Sequence, residues 1–212
     1  MSMNKVIHCA VRRDLRRFRV ALERFPDGDR SRASALHRAW ENFDAQLTDH
    51  HEGEHEIAWP ALKAMGVADG SISTFDEEHH AMAADLATTR TAMGQLARTA
   101  TRADADAAAA AMAGLESTTL THLDHEEQET EPVLAASHGS PAYQQMSKQF
   151  SRRSGIGTAG TFFAWMEDGA SPEERAALRQ SVPGPVLAVI GTVFGRRYRK
   201  EVAPVWASTG SF

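Results

Sequence analysis

The sequence predicts an all-α protein: an up-down-up-down four-helix bundle with a C-terminal, mostly helical extension. Three observations support this class. Four long stretches repeat apolar residues near the helical period, the breaks between them are short, and strand-like alternation is almost absent. Because short connections favour antiparallel neighbours, we expect a bundle over residues 1–139 and an extension over residues 140–212 that packs on it.

The first predicted helix covers residues 4–25 and ends at a Pro-Asp-Gly-Asp turn. Its apolar residues recur near the helical period: Val6, Val11, Leu15, Phe18 and Leu22. The second helix is predicted from an N-cap at Ser31 to about Met65, where Gly66 ends it. Pro60 should kink this helix near its end, because proline lacks the N–H group that an α-helix uses.

The third and fourth predicted helices complete the bundle. The third starts at Ser73 or Thr74 and runs to about Thr99. The fourth starts at Asp104 and runs through an alanine tract to about Ser137. Together with the first two they make four long helices joined by short loops, which is the arrangement of a simple bundle.

The extension is expected to form two or three short helices that cap the bundle. One of them should begin at Ser171-Pro172, with acidic residues in its first turn. Residues 155–160, which contain three glycines, are expected to be flexible or turn-rich. The apolar run 186–194, followed by basic residues 196–200, also fits a helix lying on a membrane surface. Capping helices are favoured because the apolar run is short.

The composition excludes several classes of protein. The single cysteine, Cys9, cannot form an intramolecular disulfide, and no apolar run approaches the roughly 20 residues of a membrane span. The N-terminus lacks a signal peptide's apolar stretch, so we expect a cytoplasmic protein. The net charge of −5 gives no indication of nucleic acid; it divides into −9 over residues 1–140 and +4 over residues 141–212.

An internal repeat of metal-ligand residue types is the most informative feature of the chain. In each copy a histidine precedes a second histidine by 42 or 43 residues, a glutamate follows four residues later, and a proline six after that. The first copy consists of His8, His50, Glu54 and Pro60, and the second of His79, His122, Glu126 and Pro132. An Asp-Leu pair also follows the first histidine of each copy at the same distance. This repeat predicts a metal centre built from two similar halves.

The spacing within each copy suits metal binding. Side chains four residues apart share one helix face, so each helix turn presents an imidazole and a carboxylate together. Six inward-facing ligands, four histidines and two glutamates, fit two metal ions better than one. Mixed imidazole and carboxylate ligation favours iron, with manganese or zinc as alternatives.

Three histidines compete with the assigned ones. His51 competes with His50, but only His50 has a carboxylate four residues later that matches the second copy. His80 competes with His79: the distance from His80 to His122 equals that from His8 to His50, whereas the Asp-Leu spacing and the apolar face favour His79. His125 lies about 60° from His122 on an ideal helix, which indicates a supporting position outside the ligands or a place on the surface.

A zinc-protease pattern overlaps the first copy. His51, Glu52 and His55 match His-Glu-x-x-His, in which the histidines bind zinc and the glutamate is a general base. The pattern is disfavoured because it is not repeated, because Pro60 would distort its helix, and because the sequence offers no edge strand for a peptide substrate.

These residues resemble the hemerythrin-like HHE cation-binding family. The similarity covers about residues 1–138 and rests on the His8 helix and on residues 50–62, 78–82 and 122–134. It implies a four-helix bundle around a non-haem di-iron centre that binds O2, NO or peroxide. It further implies that the four histidines are terminal ligands and that Glu54 and Glu126 bridge the ions.

The match to oxygen-carrying members of the family departs at two places. The place of a second histidine, one turn after His79, is occupied by Ala83, and Glu126 stands one residue before the aspartate of those members. One imidazole fewer leaves a coordination position open. Disproportionation of H2O2 is therefore the first functional hypothesis, and binding or sensing of O2, NO or iron without turnover is the second. The sequence identifies no redox partner.

Overall fold

The computed structural model describes residues 1–153, 156–181 and 195–207, and in those ranges the chain is helical with short connections. Its helices are α1 (Met3–Glu23), α2 (Arg30–Gly53), a π-helical segment (Glu54–Ala58), α3 (Trp59–Ala64), α4 (Asp69–Thr99), α5 (Arg102–Ala136), α6 (Pro141–Arg153), α7 (Ile156–Glu167), α8 (Pro172–Ser181), α9 (Arg196–Glu201) and α10 (Ala203–Ala207).

Helices α1, α2, α4 and α5 pack in a ring in which neighbours are antiparallel. Between α1 and α5, Asn4 donates to Glu126 at 3.1 Å, and Arg19 lies 3.8 Å from Glu116 about four turns further on. Contacts of α2 and the π-helical segment with α4, and contacts between α4 and α5, run in opposite chain directions in the same way. The prediction of an all-α helical bundle is confirmed, and these contacts are consistent with the predicted up-down-up-down order.

The helix starts differ from the sequence-based expectations. Asp29, not Ser31, caps α2, where its carboxylate accepts from the Arg32 N–H at 2.8 Å. Helix α5 is capped by Thr101, whose hydroxyl accepts from the Asp104 N–H at 3.2 Å. Helix α4 begins at Asp69, four residues early, because an acidic residue suits the first turn of a helix.

A wide turn is found where Pro60 was predicted to kink the helix. The π-helical segment ends at Ala58, two residues before Pro60, and the Trp59 N–H reaches back five residues to the Glu54 carbonyl. A regular α-helical turn would press the proline ring against the carbonyl of Glu56. The extra residue of a π turn relieves this conflict, and the helix continues as α3.

The interior of the bundle is apolar, and the extension contributes to the same core. Phe18 is the centre of an aromatic group in which its ring lies 6.0 Å from Trp40, 5.7 Å from Phe43 and 5.0 Å from Trp206 of the extension, with near-perpendicular planes. Leu178 and Tyr198 of the extension are buried in this core as well.

A buried ionic network also holds the extension to α1. The Asp14 carboxylate accepts from Trp165 Nε1 at 2.7 Å and from Arg13 Nε at 2.8 Å. Asp168 accepts from Arg17 at 2.7 Å and from the Tyr198 hydroxyl at 2.8 Å. Gly169 adopts a left-handed conformation with φ +74° at the turn that follows, which favours glycine.

The extension partly departs from its predicted structure. Residues 156–160, expected to be turn-rich, form the start of α7, because packing of the buried Trp165 outweighs the weak helix preference of glycine. The predicted helix start at Ser171-Pro172 is confirmed, with reciprocal bonds between Ser171 and Glu174. The apolar run 186–194 lies outside the described residues. Among the residues that are described, no helix has the length and apolar character needed to cross a membrane.

Candidate metal centre

Seven ligand-type side chains converge inside one end of the four-helix ring. They form two clusters, within each of which the possible donor atoms all lie within 4.8 Å of one another. The first cluster consists of His8, His50, Glu54 and Glu126, and the second of His51, Glu54, His79 and His122. Glu54 belongs to both, so it is the one side chain that joins them.

All four long helices contribute to the centre. Helix α1 supplies His8, α4 supplies His79, and α5 supplies both His122 and Glu126. The remaining three ligands come from α2 and the residue that follows it: His50, His51 and Glu54. The second helix therefore provides more of the centre than any other helix, and the clusters depend on its exact rotation.

In the first cluster, histidine nitrogens and carboxylate oxygens face each other closely. His8 Nε2 lies 3.1 Å from Glu126 Oε2, and His50 Nε2 lies 3.0 Å from Glu54 Oε1. Despite these short distances the four atoms make no hydrogen bond, because their directions do not suit a shared proton. Four such atoms within 4.8 Å of one another, without hydrogen bonds between them, could hold a cation.

In the second cluster, three imidazoles gather around the other oxygen of Glu54. His79 Nε2 lies 3.4 Å from Glu54 Oε2 and 3.0 Å from His122 Nε2. The His51 ring stacks on that of His79 with 4.3 Å between centroids, and its Nε2 has no hydrogen-bond partner.

The unpartnered atoms fit a cation. A buried polar atom without a hydrogen bond costs free energy, on the order of 1–3 kcal/mol each. Six such atoms belong to this centre: His8 Nε2, His50 Nε2, His51 Nε2, Glu54 Oε1, Glu54 Oε2 and Glu126 Oε2. All six can donate a lone pair to a metal ion, and bound metal would satisfy them together.

The two glutamates are not equivalent. Both oxygens of Glu54 are unpartnered, and each faces a different cluster. Glu126 has one unpartnered oxygen, Oε2, because its Oε1 accepts a hydrogen bond from the Asn4 amide at 3.1 Å. Glu54 therefore has the geometry of a bridge, whereas Glu126 offers a single oxygen to the first cluster. The resemblance had implied bridging for both.

Two further carboxylates orient the histidines from outside. Glu127 lies 2.9 Å from His8 Nδ1, and Glu78 lies 2.9 Å from both His122 Nδ1 and His125 Nδ1. A proton held at Nδ1 by such a carboxylate leaves Nε2 free to bind metal. The sequence did not predict that Glu78 or Glu127 would contact these histidines, although Glu78 was one candidate for a third ligand of the zinc-protease pattern. An acidic residue in an acidic bundle gives no such signal until the neighbouring helix is placed beside it.

Burial separates the pKa values of the two glutamates. Burial and the nearby Glu126 charge raise the pKa of Glu54 well above its usual value. Burial also acts to raise the pKa of Glu126, but the charge of the nearby His8 outweighs it and lowers this pKa to about 2. Without a cation, Glu54 therefore takes up a proton more readily than Glu126 does.

Burial keeps most of the imidazoles neutral. It lowers the pKa of His50 and His51 well below the usual range, with neighbouring imidazoles adding to the effect. It lowers the pKa of His79 to about 3, with His122 contributing. For His8, burial acts in the same direction, but Glu126 and Glu127 outweigh it and raise its pKa. Neutral imidazoles are the form that binds metal.

The structure brings together all six side chains that the repeat predicts: His8, His50, Glu54, His79, His122 and Glu126. It adds His51, which the sequence ranked behind His50. On an ideal helix His50 and His51 are about 100° apart and Glu54 falls between them, about 40° from His50 and 60° from His51. Two adjacent histidines followed by this glutamate could have indicated both, but Leu123 stands in the matching place of the second copy.

The other two competing histidines, His80 and His125, lie outside the centre. His80 is exposed, and His125 is a third exposed and bonded to Glu78. Ala83, where the missing histidine was expected, is also exposed, so a side chain there would point away from the clusters. In this structure it is His51 that gives the second cluster its third imidazole.

The zinc-protease pattern does not form a site. His51 points into the bundle, whereas His55 is exposed and lies 3.2 Å from Asp76. Glu52 is exposed as well and pairs with Arg153. The three residues therefore face different directions and cannot hold one zinc ion.

Comparison with known families gives one match: the Hemerythrin HHE cation binding domain, over residues 5–134. That range includes α2 and α4, all but the ends of α1 and α5, and every member of the two clusters. No curated protein and no solved structure matches the chain.

Proposed function

Because this chain belongs to the hemerythrin HHE cation-binding family, we propose that it is a non-haem di-iron protein that reacts with O2 or peroxide. Disproportionation of H2O2 is the reaction that we favour. The metal and the reaction go beyond family membership, which by itself gives cation binding.

The observation that carries the proposal is the position of Glu54. Its two oxygens are buried, unpartnered and directed to different sets of imidazoles, 3.0 Å from His50 on one side and 3.4 Å from His79 on the other. One carboxylate that serves two sets of ligands supports a pair of ions rather than a single one.

The donor set supports iron as the metal. Five imidazoles and two carboxylates offer nitrogen and oxygen ligands without a thiolate, since Cys9 is not a member of either cluster. Such mixed sets suit iron in particular, with manganese or zinc as alternatives. Four protein side chains per cluster leave two positions of an octahedral ion for a small molecule.

The protein's own residues hold, orient and shield the reacting groups. Glu127 and Glu78 fix the ring protons of His8 and His122 at Nδ1. Trp59 stacks on His79 with 5.5 Å between ring centroids, and the buried Phe75 lies edge-on to His122. When bound, two ferrous ions would supply two electrons that, with two protons, convert one H2O2 to two H2O, and a second H2O2 would return the electrons and protons as it leaves as O2.

Metal analysis and an oxygen electrode test this proposal. Purified protein loaded with iron should contain two ions per chain, change its optical spectrum on exposure to peroxide, and release one O2 for every two H2O2 consumed. An iron-loaded sample that releases no O2 would contradict the catalytic proposal. A stable spectrum with O2 or NO and no turnover would instead support the second hypothesis, binding or sensing.

A further inference from the structure

We propose that Arg153, in the extension, is a positioning residue for the metal centre: it braces the outer face of the helix turns that carry His50, His51 and Glu54. This inference rests on the proposed function in that it assumes metal binding at the two clusters. It assigns a role to a residue outside the matched family range of 5–134.

Arg153 makes a dense set of contacts with one short segment. Its Nη1 donates to the Asp49 carbonyl at 2.8 Å and to Asp49 Oδ1 at 2.6 Å. Its Nη2 donates to Glu52 at 3.2 Å, and its Nε donates to Glu56 at 3.2 Å. All three guanidinium nitrogens are engaged, and the planar group spans two turns of the helix.

The braced residues alternate with ligands of the centre. Asp49, Glu52 and Glu56 are three and four residues apart, so they form one outward stripe on the helix. His50 and His51, between the first two, face inward. Arg153 therefore fixes the rotation of the same turns whose inner face supplies ligands to both clusters.

Gly53 permits the close approach that this contact needs. A Cβ atom at Gly53 would lie 3.0 Å from Phe150 Cε1 and 3.3 Å from Arg153 Nη1, closer than ordinary contact. Glycine inside a helix is otherwise unfavourable compared with alanine. The presence of glycine at this point is thus explained by the packing of α6 against the ligand-bearing turns.

The neighbouring π segment is the part of the helix whose register the Arg153 contacts would hold in place. A wide turn is a rare form of helix, and a return to the α-helical register would rotate the residues after it by about 100° relative to those before it. His51 lies before the segment, and Trp59, which stacks on His79, lies after it. Both face the centre only in the π-helical register, and Arg153 contacts this segment through Glu56.

The test compares R153Q with R152Q in the full chain. Arg152 is the exposed neighbour on the same helix, so R152Q removes the same charge without the contacts. Anaerobic titration with Fe²⁺ against a chelator should give roughly 10- to 100-fold weaker binding for R153Q, as for other residues that support ligands, and unchanged binding for R152Q. The optical spectrum of the iron-loaded protein should change in R153Q alone.

Two further variants separate positioning from general stability. R153K keeps the positive charge but lacks the planar guanidinium group that contacts several acceptors at once, so its iron affinity should resemble that of R153Q. G53A should weaken binding by pushing α6 outward. The metal-free melting temperature of R153Q should stay within about 4 °C of that of R152Q, since exposed ion pairs contribute little.

Equal iron affinity and equal spectra for R153Q and R152Q would overturn the inference. So would a loss of metal-free stability large enough to account for the weaker binding. Wild-type protein that binds no iron would instead overturn the proposed function, and the inference with it. The titration of the wild-type protein is enough to recognise this second case.

Discussion

At the scale of single residues, Glu54 has the most demanding position in the molecule. It is almost completely buried, it is the only member of both clusters, and neither of its oxygens has a hydrogen-bond partner. Burial of a carboxylate is unfavourable unless a charge or several donors compensate for it. A carboxylate in this state is stable only when a cation or a proton is bound at its oxygens.

Glu54→Gln should abolish the paired site. An amide offers one oxygen and replaces the other with an NH2 group that repels a cation, so iron content should fall from two ions per chain to one or none. Plasma emission analysis of the purified variant measures this content. Glu77→Gln, an exposed position on α4, is the control and should retain two ions. Retention of two ions by the E54Q variant would refute the bridging assignment.

Metal-free protein should lose stability as the pH falls from about 6.5 towards 3. The pKa of His79 is about 3 in the folded chain and near 6.5 when unfolded, so the unfolded chain binds more protons in this window. His50, His51 and His122 shift in the same direction, whereas His8 and Glu54 oppose them.

Urea unfolding of chelator-treated protein at intervals between pH 7 and pH 4 measures this dependence. His79→Gln should give a shallower fall, because glutamine does not titrate. A stability that stays level or rises as the pH is lowered would show that these imidazoles are not buried in neutral form.

The predictability of the centre differed from residue to residue. The repeat located six side chains because ligand types at fixed spacing are a signal in the chain itself. His51 was ranked lower because the residue four positions after it is His55, whereas His50 is followed at that distance by a carboxylate, as in the second copy. Glu78 and Glu127 could not be found, since their roles arise from contact with histidines on neighbouring helices.

At the scale of elements, the π segment distinguishes the two copies of the repeat. Both copies have a proline six residues after the glutamate, but Pro60 follows a π segment whereas Pro132 lies within the continuous helix α5. Sequence alone predicts a disturbance at each proline. Whether a helix bends, widens or continues depends on what it packs against, so the form of the disturbance was not predictable.

Pro60→Ala should weaken iron binding without lowering the free energy of unfolding of metal-free protein. Alanine removes the steric reason for the wide turn, and an interior proline costs a helix about 3 kcal/mol. The return to an α-helical turn would move Trp59 away from His79. Chelator competition and urea unfolding, measured in parallel, follow the two effects.

Pro132→Ala is the matched control, because this proline occupies the same place in the second copy of the repeat. It should leave iron affinity unchanged. Equal losses of affinity in the two variants would argue against a special role for the π segment.

Helix existence was more predictable than helix ends. Four long helices follow from apolar periodicity, but the caps at Asp29 and Thr101 were each displaced by two or three residues from the expected Ser31 and Asp104. Several residues near each start can cap a helix. The choice among them is made by tertiary contacts, such as the bond from the Arg102 N–H to Asp27 at 2.7 Å.

At the scale of the whole molecule, α1 joins the centre to the extension. It carries His8 on one turn and, six residues later, Asp14, which binds Trp165 of α7. The extension is thereby tied to a helix that also supplies a ligand. It reaches the centre a second time through α6 and Arg153.

Asp14→Asn should destabilise the protein by about 3 kcal/mol, because it removes the buried negative charge beside Arg13 and Arg17. Urea unfolding gives the free energy. Asp124→Asn is the control: it also loses an ion pair with an arginine, Arg12, but at an exposed site, so the change should be under about 1 kcal/mol. Similar losses in both variants would mean that the buried network adds little.

The unequal makeup of the two clusters has an electronic consequence. One combines two imidazoles with two carboxylates, and the other combines three imidazoles with the shared carboxylate. Negative charge favours the higher oxidation state of a bound ion. The cluster that contains Glu126 would therefore stabilise a higher positive charge on a bound ion than the cluster with three imidazoles, so the two halves of the centre would not be interchangeable.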